Sequence, residues 1–274
     1  MNSKDVRSND ILVVKVGTTT LFKHADGKEI LDIDSLKRIS DQIKRFIEHY
    51  GHNVVIVSSG AVTAGMEAVN TNVRPTGNES MPEVQRLATI GWHRVLSAWE
   101  KSLNGYVVGG ILVTKRELDL SAPEHDEVLQ TTHTLFQHKN IPILNENDAI
   151  THSELSYQSF GQNDTLAAIY AAQVATSKIF SGKVRLILLS DVDGVLSNMK
   201  DPGSVIREID NLNSYRNLAG QSSSSHGKGG MSTKFEAAEI AINAGVDMWI
   251  TNGRLDNAIE LTLNGEGGTH FKSR

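Results

Sequence analysis

Ile11-Leu-Val-Val-Lys-Val16 is apolar at successive positions, apart from one lysine near its end, and it stops at Gly17-Thr-Thr-Thr20. A strand with one wet face alternates in polarity. A run that does not alternate must be covered on both faces, which is the situation of a parallel sheet between helix layers. The same reading fits Asn53–Ser58, Val107–Val113, Ile141–Leu144, Val184–Leu189 and Val246–Ile250. Between these runs the apolar residues change to helical spacing. Leu36, Ile39, Ile43, Phe46 and Ile47 follow Asp34, which can cap a helix, and Gly51 ends the pattern. Further helices are expected over Glu83–Ser102, Pro123–His138, Thr165–Ala175 behind Asn163, and Ser232–Asn243; Glu154–Phe160 alternates as a hairpin arm would. Strands alternating with helices predict an α/β fold, a three-layer αβα sandwich with a mostly parallel central sheet.

Composition narrows the function classes. The chain has 274 residues, enough to bury a substantial core, and no internal repeat or linker is legible, so one domain over 1–274 is expected. It has 0 cysteines, which excludes disulfides, thiolate zinc sites and a cysteine nucleophile. A net charge of −5 with no basic field gives no reason to expect a nucleic-acid partner. The N-terminus is polar, and no apolar run approaches the roughly 20 residues of a membrane span. A cytoplasmic protein with no membrane partner is expected. The 10 histidines show no metal-ligand spacing, and His52, His138 and His270 read as surface or loop residues.

Position matters more than abundance for the polar residues. Lys15-Val-Gly17, Ser58-Ser59-Gly60, Asn145-Glu-Asn-Asp148 and Ser190-Asp191 each fall at or just beyond the carboxyl end of an expected strand. That edge is where open α/β sheets bind ligands. A lysine near the end of an apolar strand is costly if buried without a partner, so Lys15 either meets an anion or snorkels to solvent from an edge strand. Gly17 would let a phosphate approach the backbone. Ser59-Gly60 opens a helix, whose first N–H groups favour anions, or is a plain cap. Asn145, Glu146, Asn147 and Asp148 put acids and amides together, and Asn163-Asp164 adds another carboxylate at a helix start. Asp148 and Asn163 are then either caps or parts of a pocket for a small zwitterion, with an acid for its ammonium and amides for its carboxylate.

Gly227-Lys228-Gly229-Gly230-Met231-Ser232-Thr233-Lys234 is a glycine loop entering a helix. It is either a surface loop or a phosphate cradle. Lys234 opposes the dipole of the helix it opens unless an anion is near, which favours the cradle. Two spans imitate a P-loop and fail. Met66 stands where the motif beginning at Gly60 needs lysine, and Gly229 stands where the one at Gly227-Lys228 needs Ser or Thr.

The stretches VVKVGTTTL, VVIVSSGAVTAGM, IPILNENDAI, GQNDTLAA, LLSDVDGV and GKGGMSTK together resemble the amino acid kinase family over about residues 10 to 272. Within it they are most similar to the branch that phosphorylates free L-glutamate. The resemblance implies ATP as co-substrate with Mg²⁺, and no metal ligand assigned to a protein side chain. Lys15 and Lys234 would stabilise the transferring phosphoryl group, with Asp164 orienting both. Ser59, Asp148 and Asn163, with Gly60 and Asn147, would hold glutamate. Lys15, Gly17, Ser190, Asp191 and the loop Lys228, Gly229, Gly230, Met231, Ser232, Thr233 and Lys234 would bind ATP. It further implies a homo-oligomer (dimer or tetramer), feedback inhibition by proline, and a glutamyl phosphate reductase taking the product. Many members continue into a C-terminal PUA domain, which is not expected in this chain, whose last residue is Arg274.

Three positions depart from that branch. Gln162 stands where an acid commonly precedes Asn-Asp, Ser190 replaces a frequent threonine, and Lys228 replaces another. Two other readings stay open on the residues: a relative acting on acetylglutamate, aspartate or carbamate, and a sensor that binds nucleotide or amino acid without catalysis. An acetylated amine should be rejected if Asp148 receives an ammonium. A sensor should have lost a lysine or Asp164, and all are present.

Overall fold

The computed structural model describes residues 7–51, 53–75, 80–122, 124–150, 163–219 and 230–273. Strands β1 (Ile11–Val16), β4 (Val54–Ser58), β5 (Val108–Val113), β6 (Ile141–Glu146), β7 (Val184–Ser190) and β9 (Asp247–Asn252) run parallel. Strand β10 (Thr269–Phe271) returns antiparallel to β9 and carries β8 (Glu208–Ile209) at the far edge. The sheet order is β5-β6-β4-β1-β7-β9-β10-β8, and a separate hairpin joins β2 (Phe22–Ala25) to β3 (Lys28–Leu31).

The apolar runs of β1, β4, β6, β7 and β9 are covered on both faces, as expected, but Val107–Val113 is not: it becomes the edge strand β5, with Val107 and Leu112 exposed, because a strand at the end of the sheet lacks neighbours on one side. In β1, Ile11 and Val13 face one core with Leu166, Tyr170 and Val174 of α6 (Asn163–Thr176) and Phe235 of α8 (Met231–Asn243). The alternate residues Leu12, Val14 and Val16 face a second core with Ile39, Ile43 and Phe46 of α2 (Ile33–Tyr50) and Trp99 of α4 (Met81–Ser102). Helix α5 (Glu124–Gln137) and the short α7 (Arg216–Ala219) join the first layer, while the short α1 (Thr18–Leu21), α3 (Ala61–Ala68) and α9 (Ala258–Leu263) join the second. Each fully buried aliphatic or aromatic side chain stabilises the sandwich by about 1.5–3 kcal/mol relative to exposure. Helix α6 is buried nearly all round, which its small residues permit. Helices α3 and α4 cross at glycine: a Cβ on Gly91 would lie 1.8 Å from the Ala61 carbonyl oxygen.

Several boundaries differ from the pattern. Strands β6, β7 and β9 each continue into polar residues, to Glu146, Ser190 and Asn252, because the ladder partner rather than the apolar run decides where pairing ends. Asp32, not Asp34, occupies the N-cap position of α2, and its carboxylate accepts from Lys23 Nζ (3.0 Å) and the Ser35 hydroxyl (2.9 Å). His270 is a strand residue whose ring stacks on Trp249 at 4.3 Å, against the surface or loop position expected. The expected hairpin arm at Glu154–Phe160, together with Pro123 and His52, lies outside the described residues. Among the described residues no helix is long and apolar enough to cross a membrane.

Candidate functional site

Parallel strands bring their carboxyl ends to one edge, so residues far apart in sequence meet there. Strand β1 is central, with Lys15 opposite Val57 of β4 and Leu188 of β7. That removes the edge-strand escape for its side chain, which is only 11% exposed. The ammonium instead meets Asp164, in the first turn of α6, with Nζ 2.5 Å from Oδ1. Lys234, in the opening turns of α8, reaches the other oxygen of the same carboxylate at 3.3 Å. Burial pushes the Asp164 carboxyl up, and the charges of Lys15 and Lys234 more than offset it, holding the group below the usual carboxylate value. Two cations separated by more than two hundred residues thus converge on one buried anion. A Cβ on Gly17 would sit 3.5 Å from Lys15 Nζ, so glycine leaves that side of the ammonium open.

A second cluster adjoins it. Asn163, next to Asp164, donates from Nδ2 to Ser59 Oγ (3.0 Å) and to Asn145 Oδ1 (2.9 Å). Its donor face is therefore occupied. Its Oδ1 is buried with no hydrogen-bond partner among the described residues, an acceptor left unused within the cluster. Asn145 was not singled out from sequence, although it belongs to the quoted polar run; its signal is its place at the end of β6. Beside it lies a cleft of about 110 Å³ bordered by Trp92, Leu112, Asn147 and Asp148. Asn147 and Asp148 therefore face the same side as Asn145.

Gly60 shapes this cluster. It has φ +105° at the N-cap of α3, and a Cβ there would lie 2.6 Å from Cε2 of Phe22. Gly60→Ala combines a left-handed backbone with overpacking and is expected to cost about 2–4 kcal/mol. Urea denaturation checks this, and a midpoint equal to wild type would contradict the assigned backbone.

On the other side of β1, Ser190 ends β7 and its hydroxyl donates to Asp191 Oδ1 at 3.2 Å. Asp191 is exposed. The neighbouring strand adds a pair that sequence reading missed: Asn252 Nδ2 donates to Asp193 Oδ1 at 2.8 Å, and Gly253 N–H donates to the Ser190 carbonyl at 2.8 Å. The available signal was Asn252-Gly253, the polar stop of β9. Gly230 is the N-cap of α8 without a side-chain cap, and Thr233 Oγ1 donates back to its carbonyl at 2.9 Å. Met231 and Ser232 lie in the first turn of that helix. Lys228, Gly229 and Gln162 lie outside the described residues. Among the described residues no group of three or more His, Asp or Glu side chains could hold a metal. A larger surface cleft, about 290 Å³ beside Asp34, Arg38, Asp41 and Asp256, lies on the α2 flank and is lined by none of the residues of these clusters.

Known proteins resemble this chain in sequence and in fold. Residues 10–252 match the model of the amino acid kinase family. A glutamate 5-kinase from Clostridium acetobutylicum is 36% identical over 280 residues, covering 99% of this chain and 98% of that protein. One from Thermoanaerobacter sp. (strain X514) is 35% identical over 269 residues, covering 95% of this chain and 67% of that protein. Among solved structures, a carbamate kinase from Giardia lamblia bound to AMP-PNP superposes with a TM-score of 0.65 at 14% identity, covering 97% of this chain and 99% of that one. An isopentenyl phosphate kinase gives 0.63 at 16% identity, covering 96% and 100%. These two likenesses carry the fold. With a family match over most of its length and a relative at 36% identity covered nearly end to end, the chain belongs to the amino acid kinase family.

Proposed function

We propose that the chain phosphorylates the γ-carboxylate of L-glutamate with ATP, giving L-glutamyl 5-phosphate, the opening step of proline biosynthesis. The relatives named glutamate 5-kinase support this choice of acceptor. The observation that carries the site is the Lys15–Asp164–Lys234 cluster, adjoining the Ser59–Asn163–Asn145 cluster.

The chemistry asks little of proton transfer. A glutamate side chain has a reference pKa of about 4.3 and is already ionised at neutral pH, so no general base is needed. One γ-carboxylate oxygen attacks the γ-phosphorus, the bond from that phosphorus to the β–γ bridging oxygen breaks, and ADP leaves. The difficulty is electrostatic, because two anions must meet and the phosphoryl group carries charge in flight. Lys15 and Lys234 supply fixed positive charge at that point, and Asp164 holds both in place. Gly17, Ser190, Asp191 and Gly230 to Thr233, continued by Lys228 and Gly229, cradle the nucleotide. Mg²⁺ would be held by the phosphate oxygens of the nucleotide rather than by a protein side chain, and would supply positive charge that offsets theirs. Ser59, Gly60, Asn147, Asp148 and Asn163 hold glutamate. With its amide hydrogens taken by Ser59 and Asn145, Asn163 offers an oxygen, which suits the substrate ammonium together with Asp148.

We also assign the chain a homo-oligomeric state, feedback inhibition by proline, a cytoplasmic location and a glutamyl phosphate reductase as consumer of its labile product. These rest on the family likeness. The continuous eight-stranded sheet supports one kinase domain across the described residues.

Incubation with MgATP and hydroxylamine should yield a hydroxamate with L-glutamate and little with N-acetylglutamate, aspartate or carbamate. Equal yield from N-acetylglutamate would remove the ammonium subsite, and ADP release only with another acceptor would replace the substrate.

A further inference from the structure

Trp99 lies in α4, on the sheet face opposite α6, and is fully buried. Its indole Nε1 donates to Ser58 Oγ at 2.9 Å, and the Ser58 hydroxyl is itself 3.1 Å from the Ser59 carbonyl oxygen. The direction of this chain follows from chemistry. Indole N–H can only donate, so Ser58 Oγ is its acceptor, and the hydroxyl hydrogen is left for the Ser59 carbonyl. Ser58 is 0% exposed, so water does not compete for either bond. The peptide joining Ser59 to Gly60 is trans and planar. Its C=O and N–H point in opposite directions, so drawing the Ser59 carbonyl toward Ser58 aims the Gly60 N–H away from the Trp99 side. The same tether fixes the turn that carries Ser59 Oγ, the group facing Asn163.

We propose that Trp99 and Ser58 are positioning residues for the acceptor site. The indole, acting through the Ser58 hydroxyl, sets the Ser59-Gly60 peptide and so the geometry in which glutamate is held. This rests on the assignment of Ser59 and Asn163 to the acceptor made above. Helix α4 is well placed for the task, because its glycine crossing with α3 locks it against the helix that Gly60 opens.

The test compares Trp99→Phe, which keeps an aromatic ring and deletes the N–H, with Ser58→Ala, which deletes the relay hydroxyl with a minimal change in volume. Trp249→Phe is the control, a buried indole in β9 whose loss also leaves a small void. Steady-state kinetics should show KM for glutamate raised about five- to tenfold in both relay variants, the size of one lost buried hydrogen bond, with KM for ATP unchanged. The double variant should be no worse than the more affected single one, since both remove the same chain of bonds. Trp249→Phe should lower the melting temperature and leave both KM values alone. The relay is overturned if KM for glutamate stays within about twofold of wild type in Ser58→Ala and Trp99→Phe. It is also overturned if Trp249→Phe raises that KM equally. Ser59→Ala and Asn163→Ala separate the two levels. If they raise KM for glutamate while the relay variants do not, only the relay falls. If they do not raise it, the acceptor assignment falls with it.

Discussion

Lys15→Ala and Lys234→Ala will each lower kcat by about 10²–10³ at saturating ATP and glutamate, the usual effect of losing one preorganised charge-stabilising donor. The geometry explains why the loss should appear in kcat. Both ammonium groups are held on Asp164, a carboxylate 1% exposed, before any substrate arrives. Their positions therefore cost nothing at the moment of transfer, when negative charge on the moving phosphoryl group is greatest. The effects should not add. Removing either lysine also leaves Asp164 with one fewer cation, so each single variant already disturbs the other lysine, and the double variant should fall well short of the product of the two. Coupled ADP-release assays on the three variants measure this, with circular dichroism as a check on folding. Near-wild-type turnover in both single variants would end the assignment, and strict multiplicativity would end the shared role of Asp164.

The sequence revealed the parallel core because burial on both faces leaves a local mark: no alternation, β-branched residues and a polar stop. Lys15 stood out because it breaks such a run just before its end. Its partner could not be found locally, since Asp164 and Lys234 come from helices that meet only when α6 and α8 pack on the same face. Asn145 went unassigned for a similar reason, as its contact with Asn163 bridges two elements. The β2–β3 hairpin has a single signal, Asp26-Gly27, whose φ values of 50° and 75° suit a two-residue turn; the flanking quartets carry too few apolar residues to support it. Strands β8 and β10 are two and three residues long; β10 exists only because β9 offers an edge to pair on, and β8 only because β10 does. Elements that draw their stability from a remote partner leave little pattern of their own.

Asp10→Ala should destabilise the protein by about 3 kcal/mol, the low end for breaking a buried pair, because the site lies at the amino rim of the sheet. Asp10 Oδ2 accepts from Arg185 Nη1 at 2.7 Å, with side chains 4% and 3% exposed. Its two oxygens also accept the Arg7 N–H at 3.1 Å and the Lys183 N–H at 3.0 Å. One carboxylate thus ties the start of β1 to the start of β7, the pairing that carries Lys15 alongside Leu188 at the opposite edge. Burial pushes this carboxyl up, and Arg185 with the two N–H groups more than offsets it, so it titrates below the usual value. A depressed pKa contributes stability that is complete above the unfolded value of about 3.9 and fades as pH falls toward the folded one. The gap between wild type and Asp10→Ala should therefore be full at neutral pH, roughly 6–12 °C in melting temperature, and narrow below about pH 4. Calorimetry at both pH values tests this, and a neutral-pH gap near zero, or one that widens in acid, would refute it. Activity well below the transition should be close to wild type, because the tie acts on the register of β1 and β7 from the rim furthest from phosphoryl transfer. A loss of kcat without a loss of stability would instead mean that this buried pair communicates with Lys15 through β1 itself.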